Sequence, residues 1–122
     1  MAHHKRTDKN QKAIVEALRK LGCSVFVLSD AGQGLPDLLI GVEHFTLLLE
    51  VKNKENWYGK KGLSETQNEF SINWKGGLLL VVYDVEDAVT KVQNEIAFVR
   101  QFKGQIESSL RQTEIKKHII TN

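Results

Sequence analysis

The sequence predicts an α/β fold in which the elements follow the order αβββαβ and a helical tail ends the chain. Two segments carry apolar residues at helical spacing, and four apolar runs of strand length, bounded by turn residues, lie between and after them. A chain of 122 residues with 41% hydrophobic content can form one domain with a sufficient core. The predicted helices span 8–21 and 64–74, and the predicted strands span 24–28, 37–40, 45–53 and 78–83.

The first helix is expected to begin at Asp8, with Gln11 at the capping-box position, and to stop at Gly22. Gln11 lies three and seven residues before two apolar positions, Ile14 and Leu18, so it can face inward together with them. The apolar stripe of this helix consists of Ala13, Ile14, Ala17, Leu18 and Leu21.

The runs at 37–40 and 45–53 are expected to pair as a hairpin. Pro36 lacks a backbone donor and belongs at a strand start, which places Asp37 at the beginning of the first strand. Gly41 is expected to close that strand. The second strand is apolar on both faces until its last residues, a pattern typical of a central strand whose tip forms a site.

The elements after the hairpin begin at polar caps. Ser64 is expected to cap the second helix, which two glycines end at 76–77 before a buried strand follows. Asp84 is expected to cap a short helix that runs through Val92. Helical periodicity then continues over 95–119, which predicts a separate helical tail.

Two carboxylates and a lysine stand near the ends of the two hairpin strands: Asp37, Glu50 and Lys52. Side chains alternate across a strand, so Glu50 and Lys52 share one face, with Cβ atoms about 7 Å apart. Carboxylates offer the hard oxygen ligands that a divalent cation requires, and a lysine can meet a phosphate. Each motif alone also fits a turn aspartate or a solvated ion pair, but the apolar strand that leads into both charges favours a site.

Five stretches carry a resemblance to a known family: DKNQKAIVEALRKLG, GLPDLLIG, LLLEVKNK, LSETQNEFSINWKG and LLLVVYD. They resemble the PD-(D/E)xK nuclease superfamily, and within it the small VRR-NUC-type proteins often found in phages and mobile elements. The resemblance covers roughly residues 8–90. It implies a restriction-endonuclease-like αβββαβ core, with a mixed central sheet flanked by helices, over 1–93. A C-terminal helical extension of the same domain is then expected over 94–122.

The resemblance also implies roles for the charged cluster. Asp37 and Glu50 would bind the divalent metal, and the carbonyl of Val51 would complete its coordination. Lys52 would act on the attacked phosphate or water. In this interpretation the cofactor is Mg²⁺ or Mn²⁺.

Gln67 matches a glutamine of the second helix that often points at the site in this family. Its position three residues after Ser64 fits a capping-box partner equally well, and one side chain does not easily do both. Many relatives also carry a glutamate on the first helix, where this chain has Ala13. Gln11 is therefore the candidate site residue of that helix, with Glu16 as a substitute carboxylate, and the second metal site is left open.

The function implied is a divalent-metal-dependent endodeoxyribonuclease that hydrolyses phosphodiester bonds in branched, flap or junction DNA, working as a homodimer. The alternative is a DNA-binding accessory protein on a nuclease fold with weak or no cleavage, which the absent helix-one glutamate favours. A sugar- or nucleotide-binding α/β module is disfavoured because the chain lacks a phosphate-binding loop of the required length.

Basic and aromatic residues follow the Glu-x-Lys motif, and we expect them to contact DNA, although they could fold back onto the core. They are Lys54, Trp57, Tyr58, Lys60 and Lys61. Trp74 follows Phe70 by four residues and is expected in the core. The basic residues of the tail are expected to form an ordinary solvated face, with a DNA clamp or a dimer element as alternatives: Arg100, Lys103, Arg111, Lys116 and Lys117.

Composition sets limits on partners and compartment. The net charge is only +2, so any affinity for nucleic acid must come from local patches. The single cysteine, Cys23, excludes an internal disulfide, is expected to be buried, and fits a reducing compartment. No membrane-spanning stretch or signal peptide is visible, so we expect a cytoplasmic location in a bacterial or phage-infected cell.

Overall fold

The structure is a computed structural model that describes the backbone of residues 5–53 and 63–121, and side chains within 9–53 and 63–105. These residues form an α/β fold with a four-stranded mixed sheet and three α-helices, which confirms the predicted class and the order αβββαβ followed by a helix. The elements are α1 (Lys5–Lys20), β1 (Ser24–Val27), β2 (Leu38–Val42), β3 (Phe45–Val51), α2 (Glu65–Asn73), β4 (Leu79–Val82) and α3 (Val85–Thr121), with a short 3₁₀ turn at Ser29–Ala31.

The sheet has the order β1-β2-β3-β4, with antiparallel pairing among the first three strands and parallel pairing between β3 and β4. As predicted, β3 is an interior strand. One face of the sheet is buried and includes Val25, Ile40, Leu47 and Leu49. Alternation places Glu50 on the opposite face, which is only partly covered. The predicted buried strand after α2 is instead a half-buried edge strand, β4.

The β2–β3 hairpin closes with a two-residue turn, because Val42 pairs with Phe45. Glu43 and His44 both have positive φ, at 47° and 72°, as the type I′ turn requires to match the twist of its strands. The predicted closure at Gly41 is therefore wrong. Gly41 lies within β2 and pairs with Ser24 of β1 on one side and with Thr46 of β3 on the other. The predicted extension of β3 to residue 53 is also too long, since the strand ends at Val51.

Helix α1 covers the core side of the sheet, where it contacts β1 and β3. Ile14 and Leu18 are fully buried, as predicted, whereas Ala13 is exposed. The helix begins at Lys5, so Asp8 lies inside it and the predicted cap with Gln11 is wrong.

The end of α1 follows the prediction. Gly22 has a φ of 104°. Its N–H donates to the carbonyl of Arg19, and the N–H of Cys23 donates to the carbonyl of Leu18; these are the two hydrogen bonds of a Schellman motif. Cys23 is buried as expected, and burial raises the pKa of its thiol.

The loop between β1 and β2 is held against α2. Three consecutive residues, Gly32, Gln33 and Gly34, have positive φ. At Gly34 the backbone passes so close to α2 that an added Cβ would lie 2.7 Å from the carbonyl oxygen of Thr66. Glycine is required there by space as well as by conformation.

Helix α2 begins at Ser64, as predicted, with a complete capping box. It ends at Asn73, before the two glycines that were expected to stop it. Trp74, expected in the core, is 42% exposed, so that prediction is wrong.

Helix α3 begins at the predicted cap, where Asp84 Oδ1 accepts from the Asp87 N–H at 2.7 Å. The helix is continuous to Thr121, so the predicted break after Val92 is wrong. The only proline of the chain is Pro36, and no strong breaker interrupts the helical hydrogen bonds. By its internal contacts the chain divides into two compact units, 1–91 and 92–122, and the site described below lies within the first.

The contact at Gly34 predicts a selective loss of stability. Gly34→Ala should destabilise the fold by more than Gly22→Ala, because Gly22 also has positive φ but its added Cβ would meet open space. The strain of a left-handed alanine is about 1–2 kcal/mol in either variant. Chemical denaturation should show a larger loss in the free energy of unfolding for Gly34→Ala than for Gly22→Ala. Equal losses would mean that the loop can move away from α2 without cost.

Candidate active site

Asp37 stands directly before β2 and is fixed from several sides. Its backbone carbonyl accepts from the N–H of Leu28 at 2.7 Å. Its Oδ2 accepts from the N–H of Val51, at the end of β3, at 2.8 Å. The hydroxyl of Ser29 lies 3.2 Å from its Oδ1. The carboxylate is thus held at the tip of β3, although Asp37 itself precedes the strand in which it was expected to lie.

Glu50 is a buried carboxylate on the partly covered face of the sheet. Its residue is only 4% exposed, and it is the one buried charged residue in the described part of the chain. Its Oε1 accepts from Gln67 Nε2 at 2.5 Å and lies 3.9 Å from Lys52 Nζ. A buried carboxylate needs such partners, because an unpaired charged group loses on the order of several kcal/mol of hydration free energy when it leaves water.

Gln67 joins the cap of α2 to the charged cluster. Its Oε1 accepts from the backbone N–H of Ser64 at 2.9 Å and from Lys52 Nζ at 2.7 Å, while its Nε2 donates to Glu50. The sequence left cap and site as competing roles for this side chain. The amide fills both, because its oxygen has two lone pairs and its nitrogen remains free to donate.

Gln11 reaches the cluster through a residue that the sequence did not single out. Ser29 Oγ lies 3.0 Å from Gln11 Oε1 and 3.2 Å from Asp37 Oδ1, so its single proton can serve either acceptor. Ser29 lies in the 3₁₀ turn after β1, and a hydroxyl there carries no sequence signal stronger than ordinary loop chemistry. Glu16, the substitute carboxylate, is exposed on another part of α1.

The two carboxylates repel one another. Burial, together with the charge of Asp37, raises the pKa of Glu50 from 4.5 to about 8, against the opposing effects of Lys52 and Gln67. A divalent cation would neutralise two carboxylates that lie so close together. The pair therefore has the electrostatic character of a cation site.

The donors match a hard divalent cation. Asp37 and Glu50 retain lone pairs beyond their protein hydrogen bonds. The carbonyl of a strand residue points to the same side as its N–H, so that of Val51 faces the Asp37 side of β3. No group of three His, Cys, Asp or Glu side chains suited to a metal occurs in the described residues. Mg²⁺ commonly takes only one or two carboxylates and completes its shell with water and substrate phosphate, so the donors present fit it.

The remaining predicted contact residues lie in the loop after β3 and in the tail. Lys54, Trp57, Tyr58, Lys60 and Lys61 lie outside the described residues. In the tail, Arg100 and Lys103 are exposed, and the side chains of the three later basic residues are also outside the described part. None of the helices described is long and apolar enough to cross a bilayer.

Comparisons of the chain with protein-family models, with curated proteins and with solved structures gave no match.

The raised pKa of Glu50 predicts a pH-dependent stability. A carboxyl group with a higher pKa in the folded state stabilises the fold fully below its unfolded value of 4.5, and this contribution is lost as pH rises through about 8. In EDTA, the free energy of unfolding should fall between pH 5 and 9 in the wild type and much less in Glu50→Gln. Added Mg²⁺ should restore more stability at the higher pH, because a ligand carboxylate must be deprotonated.

Glu16→Gln is the matched control, since it makes the same change at an exposed position. It should follow the wild-type pH profile. Identical profiles for wild type and Glu50→Gln would show that the Glu50 carboxyl group is not perturbed in solution.

Proposed function

We propose that this protein is a divalent-metal-dependent endodeoxyribonuclease of the PD-(D/E)xK type. The observation that carries the proposal is a buried carboxylate, Glu50, held next to Asp37 with the Lys52 ammonium 3.9 Å from it. A buried carboxylate next to a second carboxylate destabilises a fold, and such arrangements are typical of sites that bind a ligand. The lysine beside the pair supplies the positive charge that a phosphodiester requires.

Asp37, Glu50 and the Val51 carbonyl are the groups that would hold the cation. When bound, Mg²⁺ or Mn²⁺ would act as a Lewis acid toward the phosphodiester and favour deprotonation of water. The overall reaction adds water to phosphorus and breaks one P–O ester bond, leaving a phosphate monoester and a free hydroxyl end.

Lys52 would stabilise the negative charge that develops on the phosphate. Its side chain is only 11% exposed, so its field is weakly screened by water. The bond from Lys52 Nζ to Gln67 Oε1 restrains a flexible ammonium group before the substrate arrives. Such restraint supports catalysis because the charge does not need to reorganise during the reaction.

Helix α1 brings a neutral amide, and no carboxylate, to the Asp37 side of the site. Ser29 Oγ lies within hydrogen-bond distance of Gln11 Oε1 and Asp37 Oδ1 and can donate its single proton to either of them. Gln11 therefore adds no further negative charge. We therefore propose one principal cation per site.

A DNA-binding accessory protein is the second candidate. The observation that favours it is the position of Ala13, where the family glutamate is absent and the side chain is exposed. The three groups needed for chemistry are nevertheless present, which favours the enzyme. Branched, flap or junction DNA and a homodimeric state follow from the resemblance alone.

The two candidates separate in a Lys52→Ala variant. Loss of one electrostatic stabiliser should lower the cleavage rate by at least about a hundredfold, while DNA affinity changes little. The panel should contain duplex, single-stranded, flap, fork and four-way junction DNA with Mg²⁺ or Mn²⁺. Lys20→Ala removes an equal charge from the exposed end of α1 and should cleave as the wild type does.

Asp37→Asn tests the metal separately. This variant should lose cleavage through weaker cation binding, so a high Mn²⁺ concentration should restore part of its activity. The same Mn²⁺ concentration should not restore the activity of Lys52→Ala. Equal cleavage by wild type and Lys52→Ala would assign any activity to another site. Binding of DNA by both proteins without cleavage of any substrate would favour the accessory protein.

A further inference from the structure

A cavity of about 300 Å³ opens along α2, the helix that also carries Gln67 of the candidate active site. Its walls come from α2 and from the glycine-rich loop that precedes β2. We call it the aromatic pocket, and it is lined by Gln33, Thr66, Glu69, Phe70, Asn73 and Trp74. None of these residues belongs to the charged cluster described above.

The rings of Phe70 and Trp74 form a fixed stack within the pocket. Their centroids are 5.4 Å apart and their planes differ by 18°. The indole N–H donates to the carbonyl of Gly77 at 2.7 Å, and the ring lies over Gly76 with no room for a Cβ. The tryptophan is held in place and is still 42% exposed, so the part of its ring that Phe70 and Gly76 do not cover is open to the pocket.

The remaining walls are polar. Gln33 and Asn73 carry amides, which donate and accept, and Glu69 carries a carboxylate. The close approach of Gly34 to Thr66 keeps the loop with Gln33 against the helix. Flat aromatic faces surrounded by donors and acceptors suit a planar heteroaromatic ring with a polar edge. The volume is at the lower end for small-molecule sites, so it fits one ring system.

Both walls of the pocket carry residues that are close in sequence to residues of the candidate active site. On α2, Phe70 follows Gln67 by three residues and Trp74 follows it by seven, or about 4.5 Å and about 10 Å along the helix axis. In the loop, Gln33 precedes Asp37 by four residues. A nucleotide near a phosphate bound at the charged cluster is therefore within reach of the pocket.

We propose that the aromatic pocket binds one unpaired nucleobase of the DNA substrate, stacked on the ring of Trp74. This inference rests on the proposed nuclease function and narrows its substrate to DNA with an unpaired nucleotide near the scissile phosphate. A base inside a duplex is stacked and paired, and it would have to leave the helix to enter. Single strands, flaps and bulges offer such a base without that cost.

Glu69 determines which part of a nucleotide the pocket accepts. Its negative charge repels a phosphate, so the pocket takes the neutral base while the charged cluster takes the backbone. A carboxylate accepts from amino groups, which adenine, cytosine and guanine carry and thymine lacks. We therefore expect an oligonucleotide of adenine or cytosine to bind more tightly than one of thymine.

The test measures binding without cleavage, by fluorescence anisotropy of labelled oligonucleotides in EDTA. Trp74→Ala should weaken binding of single-stranded and flap DNA by about tenfold, the scale for one base–aromatic stack, and leave blunt duplex unchanged. Trp74→Phe should retain most of the affinity. The matched control is Phe26→Ala, which removes another exposed ring, 62% exposed against 42% for Trp74, from β1.

An abasic scan supplies the second readout. Removal of one base at the pocket position should weaken binding by the wild type and have no further effect on Trp74→Ala, as a double-mutant cycle requires. The salt dependence of binding should be the same in both proteins, because the phosphate contacts remain. A 2-aminopurine at that position should be quenched by stacking in the wild type only.

The outcomes distinguish this inference from the proposed function. Loss of affinity in Trp74→Ala together with the abasic coupling supports the pocket, even if the wild type cleaves nothing and the nuclease proposal fails. Metal-dependent cleavage with unchanged affinity in Trp74→Ala overturns the pocket and leaves the nuclease intact. Equal losses on duplex and single-stranded DNA, or in Phe26→Ala, also overturn it.

Discussion

The arrangement of the site depends on one unfavourable interaction, the burial of Glu50 next to Asp37. Charge repulsion and loss of water raise the pKa of Glu50 to about 8, and neighbouring groups reduce that cost. The Val51 N–H holds Asp37, while Gln67 and Lys52 hold Glu50. A fold selected for stability alone would replace such a pair with apolar side chains, because that exchange is often neutral or stabilising.

The same polar contacts position α2. In the described part of the chain, no residue of this nine-residue helix is fully buried, so polar contacts contribute much of its attachment. Its attachments are the Ser64 cap, the bonds of Gln67 to Glu50 and Lys52, and the backbone contact of Thr66 with Gly34. Glu50 therefore serves as an anchor for the helix as well as a candidate ligand.

The class of fold and the convergence of Asp37, Glu50 and Lys52 followed from patterns with strong local causes. Strand alternation and the apolar run of β3 determine which side chains share a face. The details that failed depend on long-range packing. The hairpin turn lies at Glu43 and His44, not Gly41, because pairing with two neighbouring strands outweighs the preference of glycine for turns. Ser29 entered the site only through tertiary proximity to Asp37, which no spacing in the sequence reveals.

The incorrect prediction for Trp74 has a different cause. The i, i+4 spacing from Phe70 does bring the two rings into contact. This spacing does not show whether another element of the fold covers the rings. In the described residues, the two rings line an open cavity. Large apolar rings that stay exposed are often functional, because their exposure to water costs free energy that no packing contact offsets. The exposed stack and the buried carboxylate break opposite rules, and they lie on or against the same short helix. The proposed nuclease function would account for that coincidence, because a nucleotide combines a planar, apolar base with an anionic phosphate.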